Sequence, residues 1–186
     1  NMRDVNPTYS REEYIDRLLS PSLLSWAREE VAWADSEGIL LLGQSDCRYP
    51  KRLSGCDDAP LMLYYKGTAD LNAPRSIAVV GTRKASWYGR EACRHMVAGL
   101  ASLEPKPLVV SGLALGIDGT AHLAALEAGL DTIAVMPGGL DDIYPRQHRL
   151  LASSIVRRGA LVSDFPRNTA PVAFTFLRRN RIIAGL

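Results

Sequence analysis

Cysteine is scarce in this chain of 186 residues: Cys47, Cys56 and Cys93 are the only three, an odd number without C-x-x-C spacing. That pattern argues against a disulfide framework and a thiolate zinc site, and it fits a reducing, cytoplasmic setting. Long apolar runs are also missing. The longest mostly apolar stretch, residues 107–117, is interrupted by Ser111 and falls short of the roughly 18 residues a membrane span needs. Asp4 comes early and no apolar h-region follows, so neither a signal peptide nor a membrane partner is expected. Several enzyme motifs are absent too. Without G-x-G-x-x-G or G-K-[ST] there is no dinucleotide fingerprint and no P-loop, and no G-x-S-x-G elbow surrounds Ser111. No cofactor and no catalytic group are expected on this basis. What is present is 47% hydrophobic and 23% charged residues, an ordinary globular balance on a chain long enough for a proper core.

Charge is unevenly placed. The net charge is +2, but residues 1–72 carry 8 basic against 12 acidic side chains, and residues 73–144 carry 6 against 7. Residues 145–186 hold 8 arginines, no lysine and the single acid Asp164. An all-arginine basic segment suits phosphate, because the guanidinium fork matches phosphate oxygens bidentately. A solvated helix face is the plainer reading, and charge alone leaves both open.

The first 37 residues read as a helical segment. Ser10 followed by Glu13 is a capping-box pattern, and Leu23, Leu24, Ala27, Val31 and Ala34 recur at helical spacing before Gly38. Residues 38–186 read as a second unit. Residues 39–42 and 61–65 look like short strands. From Ser76 onward four apolar runs, 77–80, 108–111, 132–136 and 160–162, each end in a small-residue turn. Between them lie amphipathic helices, with Cys93, Met96, Val97, Leu100 and Ala101 on one helical face and with Gly129 and Gly159 as helix-ending glycines. Near-continuous apolar strands alternating with helices predict an α/β fold, a Rossmann-like, doubly wound, mostly parallel sheet.

In such sheets ligands bind beyond the carboxyl ends of the strands, where helix N-termini offer free N–H groups to anions. The candidate site residues on that rim are Gly81, Arg83, Ser111, Gly112, Gly138 and Gly139, with Ser163 beside them. Arg83 follows a buried strand directly, where a long cation has no packing purpose. Arg146 opens a helix after Tyr144-Pro145, and Arg178, Arg179 and Arg181 cluster around Asn180. If these converge on the same edge, they favour a polyanion over a lone nucleotide. Tyr88, Phe174 and Phe176 are candidates for base stacking, with core positions as the alternative. Asp118 and His122 lie four apart; a helix-start carboxylate and a packed, hydrogen-bonded histidine explain them better than a metal pair. His95 and His148 have no companions.

At these residues the chain resembles the DNA-processing protein A family (DprA, also called Smf). The resemblance rests on Tyr49-Pro50-Lys51-Arg52-Leu53, Ala59-Pro60-Leu61-Met62-Leu63-Tyr64, Ile77-Ala78-Val79-Val80-Gly81-Thr82-Arg83 and Val110-Ser111-Gly112-Leu113-Ala114. Tyr88-Gly89, Gly116-Ile117-Asp118, Ala121-His122, Thr132-Ile133-Ala134-Val135, Gly139-Leu140-Asp141, Tyr144-Pro145 and Arg179-Asn180-Arg181-Ile182-Ile183-Ala184-Gly185-Leu186 complete it. It implies a non-enzymatic protein that binds single-stranded DNA during natural transformation, protects the incoming strand and helps load the RecA recombinase. It also implies a homodimer in the full-length protein and a DNA pocket containing Arg83, Arg146, Arg179, Asn180 and Arg181. Leu115 stands where the family often has lysine, His148 where it has asparagine, and the family continues beyond Leu186, leaving its domain C-terminally incomplete here. Two other readings share this kind of fold. One is a nucleotide-processing enzyme of the lysine-decarboxylase-like phosphoribohydrolase group, whose Pro-Gly-Gly loop requires an acid at a spacing that residues 139–145 do not supply. The other is a small-nucleotide sensor.

Overall fold

The computed structural model describes residues 10–186 and divides the chain into two compact units, one ending at Glu37 and the other Gly38–Leu186. The first holds helices α1 (Arg11–Leu18) and α2 (Pro21–Ser36). Ser10 caps α1 as its spacing predicts: its Oγ accepts from the Glu13 N–H at 3.2 Å, and Glu13 Oε2 accepts from the Ser10 N–H at 2.8 Å. Pro21 opens α2, a position where its missing N–H costs nothing.

In the second unit the order is β1 (Leu40–Gly43), α3 (Lys51–Ser54), β2 (Met62–Gly67), β3 (Ser76–Ala78), α4 (Trp87–Gly99), β4 (Leu108–Ser111), α5 (Ile117–Glu127), β5 (Thr132–Val135), α6 (Arg149–Arg158), β6 (Ala160–Ser163) and α7 (Ala173–Gly185). The six strands form one sheet in the order β1-β2-β6-β5-β4-β3. Strands β3 to β6 are parallel, with Ile77 beside Val109, Val110 beside Ile133 and Ala134 beside Leu161; β2 joins β6 antiparallel, and β1 pairs antiparallel with β2 on that side. The Rossmann-like α/β architecture read from the sequence is the architecture observed.

Alternation along the strands separates two cores. Leu108, Val110, Ile133, Val135 and Val162 face α7 and α3 through Ile182, Ile183, Leu186 and Leu53. Val109 points the other way, into Ala121, Ala124, Ala125, Cys93 and Val97 of α5 and α4. Three crossovers that each step one strand in the same direction bring α4, α5 and α6 to one face, and α7 covers the other. Strands β4, β5 and β6 are therefore buried at every residue, which is why they read as continuous apolar runs.

Two local expectations are corrected. Met96, placed on the buried face of its helix, is 70% exposed, because it lines an open cleft with Ile77, Val79 and Val80 beside the edge strand β3. Gly159 follows α6 with φ −149° rather than in the left-handed region, whereas Gly129 does end α5 at φ +72°. Among the described residues no helix is long and apolar enough to cross a membrane.

Candidate nucleic-acid interface

At the carboxyl edge of the parallel strands a cleft of about 350 Å³ opens between the turn after β3, the turn before α5 and helix α7. Gly81, Arg83, Ala114, Asp118, Arg179 and Asn180 line it. Each wall is fixed by backbone chemistry. Gly116 has φ +82°, and a side chain there would strike the Thr82 and Arg83 carbonyls. The Ile117 N–H donates to the Thr82 carbonyl at 3.2 Å, so the Gly81-Thr82-Arg83 turn is pinned to the start of α5. Asp118 is buried, and its Oδ2 accepts from the Gly112 and Ala114 N–H groups at 3.2 and 3.4 Å.

Arg83 is exposed at the mouth of the cleft, its guanidinium carbon 4.7 Å from the Phe176 ring centroid. Phe176 in turn meets Tyr144 edge-on at 5.6 Å. The ring holds the cation without using any of its N–H donors. Arg179 is held differently. It is 5% exposed, and Nη1 donates to the Gly112 carbonyl at 2.7 Å and to the Val135 carbonyl, while Nε donates to Asn180 Oδ1 at 3.1 Å. Burial pushes its pKa down from the ordinary arginine value; Asp118 opposes that shift and Arg83 adds to it. Gly112 belongs to the same arrangement, since a side chain on it would occupy the place of the Arg179 guanidinium.

The structure thus gathers Gly81, Arg83, Arg179 and Asn180 at one cleft, with Gly112 beneath, and sets the other candidates elsewhere. Ser111 is fully buried, and its hydroxyl donates to the Val79 carbonyl at 2.6 Å, tying β4 to the end of β3. Gly138 and Gly139 are covered by the 166–171 loop: the Gly139 N–H donates to the Thr169 carbonyl at 3.2 Å, and Ser163 Oγ donates to the Gly138 carbonyl at 2.7 Å. These three are not an open anion rim. Arg178 and Arg181 turn together to Asp164, at 3.4 and 2.6 Å, and Arg181 also donates to the Asp58 carbonyl. Arg178 and Arg181 are thus held beside the carboxyl end of β6, outside the lining of the cleft that Arg179 borders. Residues 178 and 181 share one side of α7, where a buried carboxylate holds them, and residue 179 faces the sheet. Arg146 is exposed in a short 3₁₀ turn, Arg146–His148, outside the cleft lining.

His122 is fully buried as expected. Nδ1 lies 2.7 Å from Thr132 Oγ1, which itself donates to the Val109 carbonyl at 2.8 Å, so Nδ1 carries the proton. Burial, with His148 and Arg179 adding to it, pushes its pKa down to about 3. His148, which had no visible companion in the sequence, donates from Nδ1 to the Leu113 carbonyl at 2.8 Å and so steadies the 112–116 turn. Its partner is 35 residues away, and no local pattern could have shown it. Phe174 and Tyr88 prove to be exposed, at 66% and 76%, rather than core.

Fold and site together define a Rossmann-like α/β domain that presents an arginine-bearing cleft at the carboxyl edge of its parallel strands. Residues 40–186 match the family of DNA recombination-mediator protein A, and the chain belongs to that family. It is 40% identical over 168 residues to Protein Smf of Escherichia coli K12, covering 88% of this chain and 44% of that protein. It is 44% identical over 141 residues to DNA processing protein DprA of Streptococcus pneumoniae, covering 76% of this chain and 49% of that one. The chain therefore spans about half the length of these curated relatives. The X-ray structure of the Streptococcus pneumoniae DprA superposes with a TM-score of 0.73 at 36% identity, over 90% of this chain and 59% of that one. The Helicobacter pylori DprA, whose structure concerns its single-stranded DNA binding mode, superposes with a TM-score of 0.69 at 30% identity, over 79% of this chain and 65% of that one.

Proposed function

We propose that this domain binds single-stranded DNA, holding the sugar–phosphate backbone in the cleft between the Gly81-Thr82-Arg83 turn and α7. The observation that carries the reading is Arg83, exposed at the ligand edge and held only through the Phe176 face among the described residues. Its five N–H donors remain available to phosphate oxygens. Asn180 and the Arg179 side chain line the same cleft, and Phe176 offers a ring beside it. The family's description as a recombination mediator and the DNA-binding Helicobacter pylori relative support the same reading. The domain serves transformation and recombination in the cytoplasm: it protects the incoming strand, pairs with a second copy and helps load RecA. It acts by binding, without catalysis or cofactor.

A salt series tests the binding mode. Anisotropy of a labelled oligonucleotide of about 30 nucleotides, longer than one ~4–16-nucleotide site, yields log K against log salt. The expected slope is about −0.7 for each phosphate neutralised. Binding indifferent to salt would contradict a phosphate-holding cleft. Release of free base from a nucleoside monophosphate would identify the phosphoribohydrolase alternative instead, and saturable binding of a mononucleotide but not of the oligonucleotide would identify the sensor.

A further inference from the structure

The strip of chain leading away from the cleft lies open to solvent. Val80, Gly81, Thr82, Arg83 and Lys84 are all exposed, and α4 then begins with Trp87 and Tyr88 at 78% and 76% exposure. Neither aromatic contributes to the packing of α4, whose buried residues are Cys93 and Val97. Two adjacent large rings left in water mark a surface that serves something other than the core. The charge around them is mostly positive. Arg83, Lys84 and Arg90 are exposed, and the acid nearest in sequence, Glu91, is paired with Arg94. Rings interleaved with cations complement a polymer of planar bases joined by anionic links. Trp87 lies four positions after Arg83, so at most about 14 Å of backbone separates the rings from the cleft. That is a few nucleotides at the roughly 3.4 Å per stacked nucleotide of one strand.

We propose that Trp87 and Tyr88 form a base-stacking platform on which the single strand continues after leaving the cleft, with Lys84 and Arg90 meeting its phosphates. This rests on the single-stranded DNA reading of the cleft and extends the site beyond it. Because every base has a ring face, such a platform tolerates any sequence but requires bases.

The test uses the whole chain and three probes: an oligo-dT of about 30 nucleotides, an abasic oligomer with the same number of phosphates, and the matching duplex. In a Trp26→Phe, Trp33→Phe background Trp87 is the sole tryptophan, and oligo-dT quenches its fluorescence whereas the abasic oligomer does not. The Trp87→Ala, Tyr88→Ala variant binds oligo-dT about 10-fold more weakly, as the loss of one or two stacked bases implies. It binds the abasic oligomer as the parent does. The Trp87→Phe, Tyr88→Phe variant restores oligo-dT binding, which separates stacking from any general disturbance of α4.

Unchanged oligo-dT affinity in the double alanine variant, with Arg83→Ala still defective, overturns the platform and leaves the cleft reading intact. An equal loss for abasic and normal oligomers also overturns it. A variant that changes sedimentation but not DNA affinity assigns the rings to contact with a second copy and does the same. Absence of binding to every probe removes the platform and the cleft reading together.

Discussion

Arg83 and Arg179 both border the cleft, yet their removal affects different properties. Arg83 is exposed, and among the described residues its guanidinium is held only by the Phe176 ring. Arg83→Ala leaves the urea unfolding midpoint almost unchanged, as surface replacements usually do. It weakens single-stranded DNA binding about 10-fold or more, the loss of one or two charge-assisted hydrogen bonds. Arg179→Ala leaves the Gly112 and Val135 carbonyls without their donor inside the protein, and stability falls by about 3 kcal/mol. Urea unfolding and anisotropy measured on both variants check the contrast; an Arg179→Ala protein as stable as the parent would contradict it. Arg83 was legible in the sequence because a long cation directly after an apolar run has no packing purpose, although that run proves to be the half-exposed edge strand β3 and not a buried one. The burial of Arg179 had a signal of its own. Thr175, Arg179, Ile182, Ile183 and Leu186 are all buried, and they recur at helical spacing. A charged residue inside an apolar stripe reads as an interruption until the carbonyls it serves are seen.

Among the elements, the parallel strands β4, β5 and β6 were the easiest to read, since a strand covered on both faces is a near-continuous apolar run; β3, at the sheet edge, is only half-buried. Helix α7 was not. Its arginines obscure the stripe, and its apolar Phe174 and Leu177 are exposed at 66% and 73%, so its pattern resembles a basic tail. The joining of elements at the cleft also lay outside any local pattern. Gly116 connects the turn after β3 to α5, and its conformation is one that side-chain-bearing residues avoid. Gly116→Ala destabilises the domain by about 2 kcal/mol or more, from the left-handed penalty and the contact with the Thr82 and Arg83 carbonyls. Because the Arg83 turn must shift, DNA affinity falls as well, although neither Gly116 nor its substitute carries charge. Thermal unfolding and anisotropy of this variant decide the point; normal affinity would show that the turn holds its place without α5.

Across the whole molecule, the +7 balance of residues 145–186 proves a poor guide to the surface. Arg149 pairs with Asp142, Arg158 donates to the Gly129 carbonyl, Arg178 and Arg181 hold Asp164, and Arg179 is interior. Much of that charge fastens the fold, and the cleft depends on a few residues from separate segments. Global stability carries a pH signature of its own. His122 stays neutral in the fold because burial pushes its pKa down from 6.5 to about 3. The unfolded chain takes up a proton there as pH drops below 6.5, while the folded chain does not. The stabilisation is therefore complete above that value and is lost progressively on acidification, at about 1.4 kcal/mol per pH unit. Urea midpoints at pH 7 and pH 5 should differ accordingly, and His122→Asn should flatten the dependence whatever its absolute stability. An unchanged slope would mean that His122 is not the group responsible.

On the proposed reading a single strand is held at the carboxyl edge of the sheet through Arg83. The most direct test is competition between a labelled single-stranded oligonucleotide and the matching duplex, for the parent and Arg83→Ala proteins at one salt concentration. The parent is expected to prefer the single strand, and the variant to lose that preference together with most of its affinity. Equal binding of strand and duplex, or a preference that survives the loss of Arg83, would rule out that role for Arg83.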